Sequence, residues 1–281
     1  MKTNTIINSS LFKLFVYSNL FIAFCAAAQV LVAYLVFSIP LDFNSASYML
    51  FIFLSTYLQY NMQRGYMINQ TNLYSDRSQW LMKYKKPMLY SVFISLGAVL
   101  FLCNNLSWTS IGIMVVAEVI STLYFLPPVN LRKYGYIKPI IIAIVWVVST
   151  TVVPLIEYKL SLQTHYAFII SQFLFLTVLC MVFDIKDAAD DYLNSVNTYA
   201  NRFGIKTTKI ISIILMMLSV VILFFYNNST LILIPGIITS LLTMVSVLLA
   251  KENQHHFYYY LWIDGLLLIQ GMLFFMEFNV G

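Results

Sequence analysis

The sequence has few charged residues and few cysteines. Asp, Glu, Lys and Arg together make up 10% of its 281 residues, whereas soluble proteins carry roughly 25%. So few charges cannot cover the water-facing surface of a soluble chain of this length. The three cysteines, Cys25, Cys103 and Cys180, all lie in apolar stretches, which excludes a disulfide scaffold. With 60% apolar residues, the composition instead predicts a protein embedded in lipid.

Nine apolar runs are long enough to cross about 30 Å of hydrocarbon as helices, which satisfy their own backbone hydrogen bonds there. The runs predict an all-α, polytopic membrane helical bundle of about nine transmembrane helices, forming one integral membrane domain over 1–281. The predicted spans cover 14–38, 47–66, 88–103, 108–126, 138–156, 166–183, 208–226, 230–250 and 258–277.

The distribution of Lys and Arg predicts the orientation of the chain. If the N-terminus lies inside, all 16 of these residues except Lys159 fall in inside segments. This bias is the one that cytoplasmic segments show. We therefore expect a multi-pass protein, most simply of the cell membrane, with its N-terminus inside and membrane lipid around it. The net charge of +5 has the same origin and gives no reason to expect a nucleic-acid partner.

An acidic cluster follows the sixth predicted span. If the helix continues, a rotation of about 100° per residue brings Asp184, Asp187 and Asp191 into an arc of roughly 60°, with Asp190 at its edge. Carboxylates on one face repel each other unless a cation lies between them, and carboxylate oxygens suit Mg²⁺. The alternative is a solvated acidic helix end, which Lys186 would partly neutralise.

The spacing of this cluster resembles the second aspartate-rich motif of the UbiA superfamily of intramembrane prenyltransferases. Asp184-x2-Asp187-x3-Asp191 is followed by Thr198 and by the sequence Arg202-Phe203-Gly204, as in that family. The stretch 123–132, which contains Tyr124, is similar to the Tyr, Pro and basic element that follows span four there. Nine spans with an inside N-terminus also match the family fold.

The family's first aspartate motif, N-x-x-x-D-x-x-x-D, is degenerate in this chain. Asn61 fits the pattern, but Gly65 and Asn69 stand at the two carboxylate positions. Arg64 lies one turn after Asn61. Its guanidinium could bind phosphate in place of part of the metal charge, or it could be an anchor at the inside end of span two.

The resemblance implies a role for each matched residue. Asp184, Asp187 and Asp191 would hold Mg²⁺, and Tyr124 would be a catalytic aromatic residue that stabilises an allylic cation. Residues expected to bind the diphosphate are Asn61, Arg64, Arg132, Lys133, Lys138 and Arg202. The basic residues among them could equally serve only orientation and contact with anionic lipid head groups.

Three functions remain open at this stage. The resemblance implies an enzyme that transfers an isoprenyl group from an isoprenyl diphosphate to an aromatic or other lipophilic acceptor. The degenerate first motif favours a non-catalytic protein of the same fold that binds an isoprenoid or quinone. A transporter or channel would need a polar face through several helices, and several of the predicted spans look uniformly apolar.

Overall fold

The computed structural model describes residues 10–68, 76–127, 129–131, 134–193, 196–227, 229–255 and 257–280. The regular structure in these ranges is helical, as predicted for an all-α membrane bundle. The chain forms two compact units. Unit 1 comprises Met1–Ala27 and Leu41–Leu106, and unit 2 comprises Ala28–Pro40 and Ser107–Gly281. The prediction of a single domain over 1–281 stays a prediction.

Unit 1 contains the first five helices, although the second of them continues into unit 2. They are α1 (Ser10–Tyr17), α2 (Leu20–Val36), α3 (Phe43–Ile68), α4 (Asp76–Lys83) and α5 (Lys85–Leu102). Helix α3 packs along α5, and α1 contacts α4.

Unit 2 contains the remaining helices and two π-helical segments. The helices are α6 (Trp108–Phe125), α7 (Lys138–Val147), α8 (Val153–Glu157), α9 (Leu162–Lys186), α10 (Ala188–Leu193), α11 (Tyr199–Tyr226), α12 (Thr230–Leu249) and α13 (Asp264–Val280). The π-helical segments are Val148–Val152, between α7 and α8, and Tyr258–Ile263, directly before α13.

Seven helical stretches are long and apolar enough to span a membrane, by length and composition. They are Lys85–Asn105, Trp108–Phe125, Lys138–Glu157, Leu162–Lys186, Tyr199–Tyr226, Thr230–Leu249 and Tyr258–Asn279. They correspond to predicted spans three to nine and support an integral multi-pass membrane protein. The total of nine stays a prediction, as does the orientation.

The first two predicted spans differ from the other seven in length or polarity. The predicted span 14–38 is interrupted, because Asn19 has a positive φ of 68° and separates α1 from α2, which has 17 residues. Helix α3 has 26 residues but carries the polar Gln59, Asn61 and Gln63. Asn61 is buried, which explains how a polar residue is accommodated in this helix.

Helix α9 is the central helix of unit 2. Of its most apolar stretch, 72% is buried within the molecule, whereas the corresponding share is 44% or less in the other candidate spans. Helices α7 and α11 pack against α9. A reciprocal pair of serines joins α9 to α11, with the two hydroxyl oxygens of Ser171 and Ser219 2.9 Å apart and each hydroxyl donating to the other residue's carbonyl oxygen. Such polar contacts hold helices together where lipid provides no hydrophobic drive.

The π-helical segment Val148–Val152 has an identifiable cause in the sequence. Pro154 stands at the start of α8, and proline has no N–H to donate and its ring clashes with the carbonyl group four residues earlier. That carbonyl belongs to Thr150, within the widened turn. The predicted fifth span is therefore one continuous stretch, Lys138–Glu157, with a local change of helical pitch.

Candidate functional site

The three aspartates of the second motif lie where α9 ends and α10 begins. Asp184 is in the last turn of α9, Asp187 caps that helix at its C-terminus, and Asp191 lies in α10. Asp184 and Asp191 are buried, and the side chain of Asp187 is 25% exposed. The chain remains nearly helical across the break, because the backbone N–H of Asp187 donates to Phe183 and that of Asp191 donates to Asp187. The predicted shared face is therefore present.

A single ammonium group lies among these three carboxylates. The Nζ atom of Lys138 is 2.8 Å from Asp184 Oδ1, 3.3 Å from Asp191 Oδ2 and 3.8 Å from Asp187 Oδ2. The side chain of Lys138 is only 7% exposed and that of Asp184 is fully buried. A buried ammonium group at the positive end of α7 is unfavourable unless anions offset it. The aspartates supply that offset.

The start of α7 is fixed by a close backbone contact with the segment that precedes α11. A Cβ atom at Gly135 would lie 2.2 Å from the carbonyl oxygen of Asn197, so only glycine fits there. Thr198, the next residue, caps α11 by accepting a hydrogen bond from the backbone N–H of Asn201. This contact links the turn before Lys138 to the chain that follows the aspartates.

A second lysine partly balances the remaining negative charge. Lys186 Nζ is 3.2 Å from Asp187 Oδ1 and donates to the hydroxyl oxygen of Tyr260 at 3.0 Å. It also lies 4.5 Å from the ring centroid of Tyr260, which is a favourable cation–π distance. With Lys138, the described part of the cluster thus combines three carboxylates with two ammonium groups.

Two further predicted residues of unit 2 lie at the ends of neighbouring helices. Tyr124 is buried near the C-terminus of α6. Arg202 is exposed in the first turn of α11, with its guanidinium carbon 5.3 Å from the ring centroid of Tyr136. Gly204, two residues later, has φ 81°, which breaks the helix there and is a conformation that favours glycine. The structure therefore explains the glycine of the Arg-x-Gly element.

Asn61 and Arg64 belong to unit 1, where Asn61 is already hydrogen-bonded. Its Nδ2 group donates to the carbonyl oxygens of Ser18 and Tyr57, and its Oδ1 accepts from Asn19. Both of its donor hydrogens are used, so Asn61 holds unit 1 together. Arg64 is half-buried near the end of α3 and has no ion pair or hydrogen bond with the described residues.

The predicted diphosphate ligands Arg132 and Lys133, together with Asn69 of the degenerate first motif, lie outside the described residues, and the side chain of Asp190 is also outside them. Their predicted roles remain predictions. Of the residues expected to bind the diphosphate, Lys138 is the one that the described structure brings to the aspartates.

These carboxylates do not fit a divalent ion in the arrangement that the structure shows. Mg²⁺ requires oxygen ligands at about 2.0–2.1 Å in near-octahedral geometry, and the carboxylates instead converge on the ammonium group of Lys138. A divalent ion about 4 Å from that group would be repelled by about 8 kcal/mol, twice the value for two unit charges at an effective dielectric constant of about 20. Within the described ranges, no three carboxylate, imidazole or thiol groups are arranged to hold a metal ion.

Comparison with solved structures identifies the fold. No protein-family model and no curated protein matches the sequence. The structure is similar to that of digeranylgeranylglyceryl phosphate synthase, a membrane prenyltransferase of the UbiA superfamily. The TM-score is 0.61 and the identity is 17%, over 96% of this chain and 98% of that chain. The chain has the UbiA prenyltransferase fold. The resemblance predicted from the motifs is thus confirmed at the level of fold.

Sequence reasoning missed the partner of Lys138 at this site of the prenyltransferase fold. It grouped Lys138 with the basic residues expected to bind diphosphate or to orient the chain, whereas the structure pairs it with the aspartates. The sequence does not single out this lysine, because Lys85 also begins an apolar helix shortly before a proline and is exposed.

Proposed function

We propose that this protein is an intramembrane prenyltransferase that transfers an isoprenyl group from an isoprenyl diphosphate to an aromatic or other lipophilic acceptor. The observation that supports the proposal most directly is the buried cluster of Lys138 and three aspartates in a membrane bundle of prenyltransferase fold. Ionisable groups inside an apolar bundle are costly and therefore mark functional sites.

The proposed reaction breaks one bond and forms one. The bond between the allylic carbon and the diphosphate oxygen breaks, and its electron pair stays on the diphosphate. The allylic carbon then bonds to the acceptor, which loses one proton. The apolar helices around the cluster would exclude water that would otherwise capture the allylic cation.

Chain residues near the cluster supply complementary groups for this reaction. Tyr124 is expected to stabilise the cation through its ring. Lys186, together with Arg202, Arg132 and Lys133, is expected to attract the anionic end of the donor. Lys138 is expected to pair with the aspartates and not with the donor, because its ammonium group lies 2.8 Å from Asp184 and 3.3 Å from Asp191. We assign no step to a divalent ion.

The test is a product assay with purified protein in lipid nanodiscs. The protein is incubated with geranyl, farnesyl or geranylgeranyl diphosphate and a lipid extract that contains acceptors, and both released diphosphate and prenylated lipid are measured. We expect turnover by the wild type and a loss of at least about tenfold in Asp187→Asn, since one pairing carboxylate is removed. Glu252→Gln, which changes an exposed acid outside the cluster, is the matched control. Absence of turnover with every donor would refute the proposal.

A second candidate is a non-catalytic protein that binds an isoprenoid or quinone. Two observations favour it. The aspartates are already paired with a lysine, and Gly65 and Asn69 replace the acids of the first motif. It predicts that an unmodified isoprenoid or quinone co-purifies with the protein, as mass spectrometry of the extracted lipids would show. Detection of a prenylated product formed by the purified protein would exclude this candidate.

A further inference from the structure

We infer that Lys138 is a built-in cation that takes the place of a divalent metal ion at Asp184, Asp187 and Asp191, so that this site operates without bound metal. The inference deepens the proposed function and rests on it for the role of the site. It is testable separately, because metal binding can be measured whether or not the protein turns over.

The number of carboxylates around the ammonium group supports a direct replacement. An ammonium group has three N–H donors and no acceptor. Three carboxylates, one each from Asp184, Asp187 and Asp191, have an oxygen within 3.8 Å of the Lys138 Nζ atom. Asp191 accepts a hydrogen bond from this atom, Asp184 is in ion-pair contact with it at 2.8 Å, and Asp187 is held by charge at 3.8 Å. A metal ion at the same point would have to displace the ammonium group from all three.

Backbone packing opposes a movement of α7 that would carry the ammonium group away from the carboxylates. Lys138 is the first residue of α7 and is buried, so its side chain does not reach water where it stands. The backbone before it is held by the contact of Gly135 with Asn197, where there is no room even for a Cβ atom. A shift of α7 that opened the cluster would have to break this contact.

Among the side chains that the structure describes, the charges of the cluster are nearly balanced without a metal ion. Asp184, Asp187 and Asp191 contribute three negative charges, and Lys138 and Lys186 contribute two positive charges through direct ion pairs. A buried group of charges is tolerated when its members are paired. These groups leave a net charge of −1, whereas a divalent ion would add two positive charges.

The degenerate first motif also supports a site that works without a bound metal ion. Gly65 and Asn69 occupy the two positions at which the resemblance places carboxylates of the first motif. Neither residue offers a charged ligand to a metal ion. The chain thus has fewer metal ligands in one motif and an internal cation at the other.

Metal binding is tested with Mn²⁺, observed by electron paramagnetic resonance, on the full chain in phosphatidylcholine nanodiscs. We expect no site-specific Mn²⁺ signal in the wild type. We expect Lys138→Met to bind Mn²⁺ at least about tenfold more tightly, because the repelling charge is gone and three carboxylates remain. Adding Asp184→Asn to Lys138→Met should reverse this gain. Lys209→Met, which removes a lysine that binds a carbonyl oxygen on α12, is the matched control.

Two outcomes would overturn the inference. One is tight Mn²⁺ binding by the wild type that Asp184→Asn abolishes. The other is wild-type turnover that stops when a chelator is added and resumes with Mg²⁺. Turnover that persists in the chelator supports it. If no donor is turned over under any condition, the proposed function fails, and the Mn²⁺ measurement still decides the present inference. If Lys138→Met folds only when Mg²⁺ is supplied, that rescue supports the inference, with Lys138→Arg expected to fold without it.

Discussion

Replacing Lys138 by methionine should destabilise the protein strongly, because it leaves a group of buried carboxylates without their shared partner. Methionine keeps most of the side-chain length and removes the charge. Removal of one partner from a buried ion pair costs about 3–5 kcal/mol. We expect the upper part of this range, because the ammonium group lies within 3.8 Å of three carboxylates and Asp184 is fully buried. Such a loss is a large share of the roughly 5–15 kcal/mol that stabilises a typical fold.

The assay is equilibrium unfolding in mixed micelles, followed by tryptophan fluorescence as sodium dodecyl sulfate is added. The double variant Lys138→Met with Asp184→Asn should recover part of the loss, with a coupling free energy of about 2–3 kcal/mol, as expected for groups in direct contact. A loss below about 1 kcal/mol in Lys138→Met, or no coupling between the two changes, would show that the ammonium group does not hold these carboxylates together.

Three further changes test the backbone and the polar centre of unit 1, each by thermal unfolding in detergent. Gly135→Ala should lower the free energy of unfolding by about 1–3 kcal/mol, because its Cβ would overlap the Asn197 carbonyl. The control Gly112→Ala, where nothing lies within 4 Å, should be neutral or slightly stabilising. Equal effects of the two changes would contradict the close contact at Gly135. Gly204→Ala should cost about 1–2 kcal/mol because φ there is 81°, and an unchanged melting temperature would contradict that conformation. Asn61→Leu should cost about 1–3 kcal/mol by leaving the Ser18 and Tyr57 carbonyls without their donor, and a neutral result would mean that water or another side chain replaces it.

Much of the fold follows from the pattern of apolar residues. Seven of the nine predicted spans coincide with candidate membrane helices. This agreement is expected, because a run of about 20 consecutive apolar residues crosses the hydrocarbon core as a helix. The break at Asn19 was not predicted, since it depends on a positive φ that a polar residue adopts within an otherwise apolar stretch. The short helix α4 lies between two predicted spans, where no long apolar run predicts a helix.

The candidate site was predictable in its acids but not in its cation. Helical periodicity alone places Asp184, Asp187 and Asp191 on one side of a helix, and in the structure all three lie near Lys138. The partner comes from a residue 46 or more positions earlier, on a different helix. Local spacing carries no information on which of several lysines reaches the aspartates, because that depends on how α7 packs on α9.

The tight approach of Gly135 to Asn197 makes the length of the turn before α7 critical. Lys138 follows Gly135 by three residues, so its direction around the helix axis is set by that short segment. Inserting or deleting one residue there would rotate the lysine by about 100° around the axis of α7. The aspartates would then face an apolar side chain, although the composition of the chain would have hardly changed. We expect relatives that retain this lysine to tolerate substitutions in the turn far better than changes in its length.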